Sequence, residues 1–168
     1  MSLGTGDLRN KSMPDKNIIK LQKETYLKMI KNSIGIKLFN SLFVKFKNSG
    51  KIIDILDNGI YSCAFFVSSI LALLKYLDSP HTTVKSTREA LIKKKWKRIR
   101  KGPIQLGDVL IWEEITFPDG TKNQHIGFAL NKKQAVSTSY KKRKVVKHHI
   151  TFNNKRKIIE IFRFKENL

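Results

Sequence analysis

The run Asn58-Gly59-Ile60-Tyr61-Ser62-Cys63-Ala64-Phe65-Phe66-Val67-Ser68-Ser69-Ile70-Leu71-Ala72-Leu73-Leu74-Lys75-Tyr76-Leu77 decides how this chain is read. A turn signal at Asp57-Asn58-Gly59 leads directly into residues that are apolar at nearly every position. A helix over Ser62 to Leu77 therefore has little polar face to offer water and must be buried on most sides. Its apolar stretch, Cys63 to Leu74, falls well short of the ~20 residues a bilayer span requires. The helix reads as the centre of a globular core, stopped by Pro80.

On the N-terminal side, Met1 to Pro14 are polar and without periodicity, which suits a flexible tail over residues 1–14. From Asp15, a fair N-cap, to Asn32 the residues Ile18, Leu21, Tyr26, Met29 and Ile30 recur at helical spacing. Leu42, Val44 and Phe46 then alternate with polar residues before Asn48-Ser49-Gly50, and Lys51 to Leu56 returns, predicting a β-hairpin.

On the C-terminal side, Ser86 and Glu89 have capping-box spacing and predict a short helix ending near the basic run Lys93 to Arg98. The remainder reads as five strands: Val109–Ile115, Gln124–Leu130, Ala135–Tyr140, Val145–Phe152 and Ile158–Phe164. The connections between them carry turn compositions such as Pro118-Asp119-Gly120 and Asn153-Asn154, and short connections favour an antiparallel meander. Helices first and a sheet after make an α+β fold, with the central helix packed on the sheet. The expected organisation is one domain over residues 15–168, in which 15–60 form an N-terminal helix and hairpin and 61–168 form the core.

Composition agrees with a globular chain: 168 residues with 40% hydrophobic content are enough to build one core. No early apolar run of signal-peptide type is present, so a cytoplasmic address is the expectation. Thirty-four Lys and Arg against thirteen Asp and Glu give a formal charge of +21, which draws anionic partners such as nucleic acid or cell-wall polymers. A coding bias toward Ile, Asn and Lys produces the same charge with no binding role, so clustering on one face is the deciding observation.

Cys63 is the single cysteine, so no internal disulfide forms and its thiol is free for chemistry. In the first turn of a helix, unpaired N–H groups and the helix dipole favour a thiolate, and the expectation is a lowered pKa. The same N–H groups suit a developing oxyanion. A lone cysteine opening an apolar helix is more often a small core residue, and a nearby base is what distinguishes the two.

Of the four histidines, His81 follows Pro80 in a loop and reads as a solvated surface residue. His148 and His149 are adjacent on a strand, so they point to opposite faces and cannot serve one thiol together. His125 opens the strand His125-Ile126-Gly127-Phe128-Ala129-Leu130, and the small Gly127 on its face is expected to leave room for the helix that carries Cys63. One cysteine and four scattered histidines lack zinc-ligand spacing, and no phosphate-cradling glycine loop is present, so neither a metal nor a cofactor is expected.

Cys63 opening a helix, the Gly107-Asp108 strand start with Trp112, and then His125-Ile126-Gly127 followed by a further strand resemble the NlpC-type cysteine peptidases of the papain-like superfamily, relatives of the CHAP amidases. The resemblance runs from about Tyr61 to Phe164 and includes Pro103-Ile104-Gln105-Leu106-Gly107-Asp108. It implies a papain-like core in which Cys63 is the nucleophile, His125 its base and Ser137, on the next strand, the residue that orients the imidazole. The family more often carries His, Asn or Gln at the third position, and Ser139 is a neighbouring candidate on the same face. Tyr61 and Ser62 beside the cysteine, and Trp112, are the residues expected to meet substrate. The family's usual Asp before the cysteine and Ser-Gly after it are replaced here by Ser62 and Ala64-Phe65. Cysteine before histidine in chain order matches the hydrolytic members.

Two functions follow as expectations. The first is a cysteine hydrolase acting on an amide bond of a peptide or peptidoglycan-like substrate through a Cys63 thioester. The second is a non-catalytic domain of the same fold that grips nucleic acid or another polyanion through Lys93–Lys101 and Lys141–Lys147.

Overall fold

A helix that is apolar nearly all round needs partners on most sides, and the chain supplies them from both ends. In a computed structural model, residues 19–116 and 120–164 are described. The expected 1–14 tail, the Asp15 cap and the Pro118-Asp119 part of one turn lie outside the described residues. The fold is α+β, with three helices and two antiparallel sheets among those residues. No described helix is long and apolar enough to cross a membrane.

Helix α1 (Gln22–Asn32) starts later than the periodicity predicts, after exposed Ile19 and Leu21. Its buried stripe is the i, i+4 pair Tyr26 and Ile30, while Ile19 and Leu21 are exposed and have no core to face. Strands β1 (Phe43–Lys45) and β2 (Ile52–Asp54) form the expected hairpin, with Phe43 opposite Asp54. The Asp54 carboxylate accepts from the Leu42, Leu56 and Asn58 N–H groups and so ties the hairpin to the turn before the central helix.

Helix α2 (Cys63–Leu73) is that central helix, and Phe66, Val67 and Leu71 are wholly buried. It ends before Leu77 because Lys75 enters the left-handed region at φ 58°. There the Tyr76 N–H donates to Leu71 O and the Lys75 N–H to Ala72 O, satisfying two terminal carbonyls.

Helix α3 (Val84–Lys93) is capped by Thr83, which accepts from the Ser86 N–H, rather than by Ser86 itself. The correction follows from packing: Val84, Thr87 and Leu91 form the buried face, so the helix must already include Val84. Nor does the basic run extend it, since Lys95 turns left-handed at φ 58° and Lys97–Arg98 becomes a short strand, β3.

The second sheet has the order β3-β8-β4-β5-β6-β7, built from β4 (Val109–Thr116), β5 (Lys122–Ala129), β6 (Gln134–Ser139), β7 (Lys144–His149) and β8 (Ile158–Arg163). Strands β4 to β7 form the expected meander, but β8 does not continue it. It crosses back to pair with β4, Val109 opposite Phe162. The reason lies in β4 itself, where Val109, Leu110, Ile111 and Trp112 are all buried, a two-faced apolar run that belongs inside a sheet rather than at its edge.

Alternation divides that sheet into two apolar faces. Ile111, Ile126, Phe128, Val136 and Val145 meet Phe66, Val67, Ile70 and Leu71 of α2. Leu110, Trp112, Ala129, Ala135 and Ile150 pack together in a second cluster. Phe66 sits in an edge-to-face contact with Phe128, centroids 5.6 Å apart, which fixes α2 across β5.

Candidate functional site

The approach to Cys63 is set by backbone that few residues tolerate. Asp57, Asn58 and Gly59 all have positive φ, and a Cβ on Gly59 would stand 2.8 Å from the Asn40 side chain. The chain then turns sharply into α2. Ser62, the N-cap, donates its hydroxyl to Gly59 O and is fully buried, so it braces this turn and does not meet substrate as expected.

Cys63 is half-buried in the first turn of α2. Burial pushes its thiol above the ordinary range, and this outweighs the opposing pull of the N–H groups of Ile126, Ala64 and Cys63 itself and of the Arg156 charge. The expectation of a depressed thiol pKa is thereby corrected: dehydration of the thiolate exceeds the help from the helix terminus.

His125 lies directly opposite Trp112 in the β4–β5 ladder, with the two rings 5.6 Å apart. Strand β5 pairs with β6 at Phe128–Val136 and Ala129–Ala135. Beyond that pairing, the imidazole Nε2 and the Ser137 hydroxyl bridge the two strands at 2.8 Å. Gly127 has a different role from the one expected. A Cβ there would lie 2.5 Å from Val136 O and 3.1 Å from the Trp112 indole, so the glycine admits β6 and Trp112, not α2. Trp112 is itself fully buried, with its indole N–H donated to Ile150 O, and supports the histidine instead of touching substrate.

The hydrogen bonds continue onto β7. Ser137 is paired with Val146, and the diagonal neighbour His148 brings its Nε2 to 2.8 Å from Ser137 Oγ. The other nitrogen of His148, Nδ1, is 2.8 Å from His149 O. A carbonyl only accepts, so Nδ1 of His148 carries the proton and its Nε2 accepts from the Ser137 O–H. The Ser137 oxygen then accepts from His125 Nε2–H, leaving the lone pair of neutral His125 on Nδ1. One carbonyl thus fixes the tautomer of a histidine two residues along the chain of bonds.

Aromatic packing encloses this relay. Phe152 stacks on His148 at 4.0 Å and 17° and meets Trp112 edge-on at 5.4 Å. Burial holds the His125 pKa well below its ordinary value, reinforced by the Arg156 and His148 charges. Burial also lowers His148, with His149 adding to the effect and the carbonyl bond opposing it. Both imidazoles are depressed relative to an unfolded value of about 6.5, so below that pH the unfolded chain takes up protons that the folded one refuses. Their contribution to stability is complete above about pH 6.5 and is lost as the pH falls through and below it. The urea midpoint is expected to drop from pH 7.5 to pH 5, and His125→Gln should flatten that drop. A wild-type midpoint that is constant over this interval, after allowing for the carboxylates, would refute the assignment.

Cys63 and His125 line one cleft of about 430 Å³, with Tyr61, Lys85, Lys122 and Tyr140 at its walls. Two other hollows, of about 510 and 610 Å³, hold neither residue. Tyr61 lines the same cleft as Cys63 and His125. Ser139 does not join the relay: its hydroxyl accepts from the Lys142 N–H in the β6–β7 turn. The His81 backbone is tied to the Ser68 hydroxyl on α2.

The chain matches no protein-family model and no curated protein. Sequence reasoning missed His148, Phe152 and Arg156. For His148 a signal existed, because alternation through the Lys141-Lys142-Arg143 turn puts residues 144, 146 and 148 on the face of residues 135, 137 and 139.

Proposed function

We propose that this protein is a cysteine hydrolase with an NlpC-type, papain-like core, cleaving an amide bond of a peptide or peptidoglycan-like substrate. The observation that carries the reading is one cleft lined by both Cys63 and His125, the histidine's hydrogen-bonded partners leaving Nδ1 as its basic nitrogen.

In this reading the Cys63 S–H proton passes to His125 Nδ1 and the sulfur attacks the substrate carbonyl carbon. The carbonyl oxygen takes up the negative charge, and N–H groups at the start of α2 stabilise it. The C–N bond then breaks, the leaving amine takes the proton from His125, and a thioester remains. Water gives a proton to His125 and its oxygen attacks the thioester. The C–S bond breaks, the sulfur recovers the proton and the acid departs. Ser137 and His148 hold the imidazole in the required tautomer, with no carboxylate in the chain of bonds.

The test is to incubate the protein with peptidoglycan stem peptides and small amides, quench in acid and weigh the protein. A mass increase equal to the acyl fragment, mapped to Cys63 and accompanied by released amine, is expected. Release of amine from the amides with no adduct, even when an activated ester that should acylate fast and deacylate slowly is used, would exclude the thioester route.

A second reading is favoured by a separate observation. Between Lys93 and Lys101 seven of nine residues are basic, and all seven are exposed. Two are paired, Lys94 with Asp78 and Arg98 with Glu160. A polyanion lying along this strip should bind with an affinity that falls steeply with salt, because each phosphate contact releases counterions. Binding of a short duplex that is equal at about 50 and 200 mM salt would argue against it.

A further inference from the structure

Arg156 is 7% exposed. Its Nε donates to Glu113 O at 2.8 Å and its Nη2 to Asn123 O at 2.6 Å. Those carbonyls belong to β4 and β5 where their register shifts, between Trp112 and Ile115. Glu113 follows Trp112, and Asn123 lies two residues before His125 on the same face, so the guanidinium is clamped beside the Trp112–His125 pair. The loop that delivers it is costly to form: Phe152, Asn153 and Asn154 are consecutive non-glycine residues at φ 51°, 57° and 66°. A buried cation held by two neutral carbonyls spends hydration for little charge compensation, which calls for a reason.

We propose that Arg156 is a positioning residue of the site: its guanidinium, pinned across the β4–β5 irregularity beside His125, is a fixed positive charge in whose presence the Cys63–His125 pair works. The inference rests on the hydrolase reading for its meaning and on the clamp geometry for its placement. Three ionisable groups interact electrostatically with this charge: Cys63 on α2, Glu113 on β4 and His125 on β5. Arg156 favours the Cys63 thiolate and disfavours a charged His125. The thiolate then has a permanent counter-ion, and His125 returns readily to the neutral form that must accept a proton from water. In a dyad lacking such a cation the imidazolium has to supply the counter-charge itself.

The experiment compares wild type with Arg156→Lys, which keeps the charge, and Arg156→Gln, which removes it while still able to donate to one carbonyl. Two midpoints are read: alkylation of Cys63 by iodoacetamide against pH, and the ring-nitrogen NMR shift of His125 against pH. In Arg156→Gln both midpoints should rise by on the order of one pH unit, the scale of a single close charge, while Arg156→Lys should stay near wild type. A folded Arg156→Gln with both midpoints unmoved overturns the proposal. If the neutral variant fails to fold, a wild-type His125 midpoint at or above about 6.5 still overturns the proposal, because burial and a clamped cation both push it down. Neither titration needs a substrate, so a protein with no hydrolytic activity would defeat the hydrolase reading without deciding the role of Arg156.

Discussion

Cys63→Ala is expected to lower turnover of a susceptible amide by on the order of 10⁵-fold or more, with the fold intact. The substitution removes the atom that forms the covalent intermediate and leaves the cleft walls in place. Alanine is tolerated in a half-buried first turn, so the thermal midpoint should move by only a few degrees. His125→Ala should cost about 10²–10⁴-fold, because the thiol then has to lose its proton to water. The double variant should be no slower than Cys63→Ala alone, since the two groups act in one step and their losses do not add. Burial raises the thiol, so little thiolate exists at neutral pH without the base. Alkylation of wild type should therefore climb with pH to a midpoint above that of a free cysteine. Initial rates of amine release by the three variants, with circular dichroism as the folding control, make the comparison. Cys63→Ala turnover within tenfold of wild type would end the hydrolase reading.

Much of this arrangement was legible in the residues, for identifiable physical reasons. The central helix declared itself because apolar residues on every side leave burial as the only option, and Cys63 falls in its first turn as read. Strands β4 to β7 were legible because short turn-rich connections permit little besides hairpins. Ser137 was reached by following the β5–β6 hairpin, and its hydroxyl does meet His125.

The failures came where a long-range partner decides the outcome. Strand β8 left the meander because β4 needed a second neighbour, a demand that shows only when the burial of both β4 faces is considered together. The α3 cap moved from Ser86 to Thr83 because Val84 had to reach the core. Adjacency on a strand rules out His148 and His149 serving one thiol together, which holds in the structure, yet only one of the pair is needed for the relay. Arg156 carried no local signal at all: in sequence it is one basic residue among many, and only the β4–β5 irregularity gives it carbonyls to hold. The direction of the thiol pKa was misjudged for a related reason, since the helix terminus is a local feature and dehydration is a property of the assembled core.

Arg163→Met should destabilise the protein by about 3 kcal/mol, the largest stability loss expected of any single charge removal here. Asp108 is 1% exposed and its carboxylate receives both Nε and Nη2 of Arg163 at 2.7 Å, with the Gln105 N–H as a third donor. Removing the guanidinium leaves a dehydrated carboxylate with one backbone donor, so the loss is the cost of an unpaired buried charge more than the worth of the pair. The Arg163 side chain is 26% exposed, and water can enter as it leaves, which puts the figure at the lower end of the range for buried pairs. Asp108→Asn combined with Arg163→Met should recover part of the loss, because the amide oxygen can still accept from Gln105 without a charge to strand. Urea unfolding of the two single variants and the double variant closes that cycle. The pair also holds the segment that opens β4: Nη2 of Arg163 donates to Pro103 O, and Tyr26 of α1 donates its hydroxyl to Gly107 O. With that segment loosened, Trp112 and the histidine opposite it lose their anchor, so Arg163→Met should also reduce amide turnover at 37 °C more than at 10 °C. A loss of stability below 1 kcal/mol would mean that water reaches Asp108 freely, and that β4 is held by its apolar faces alone.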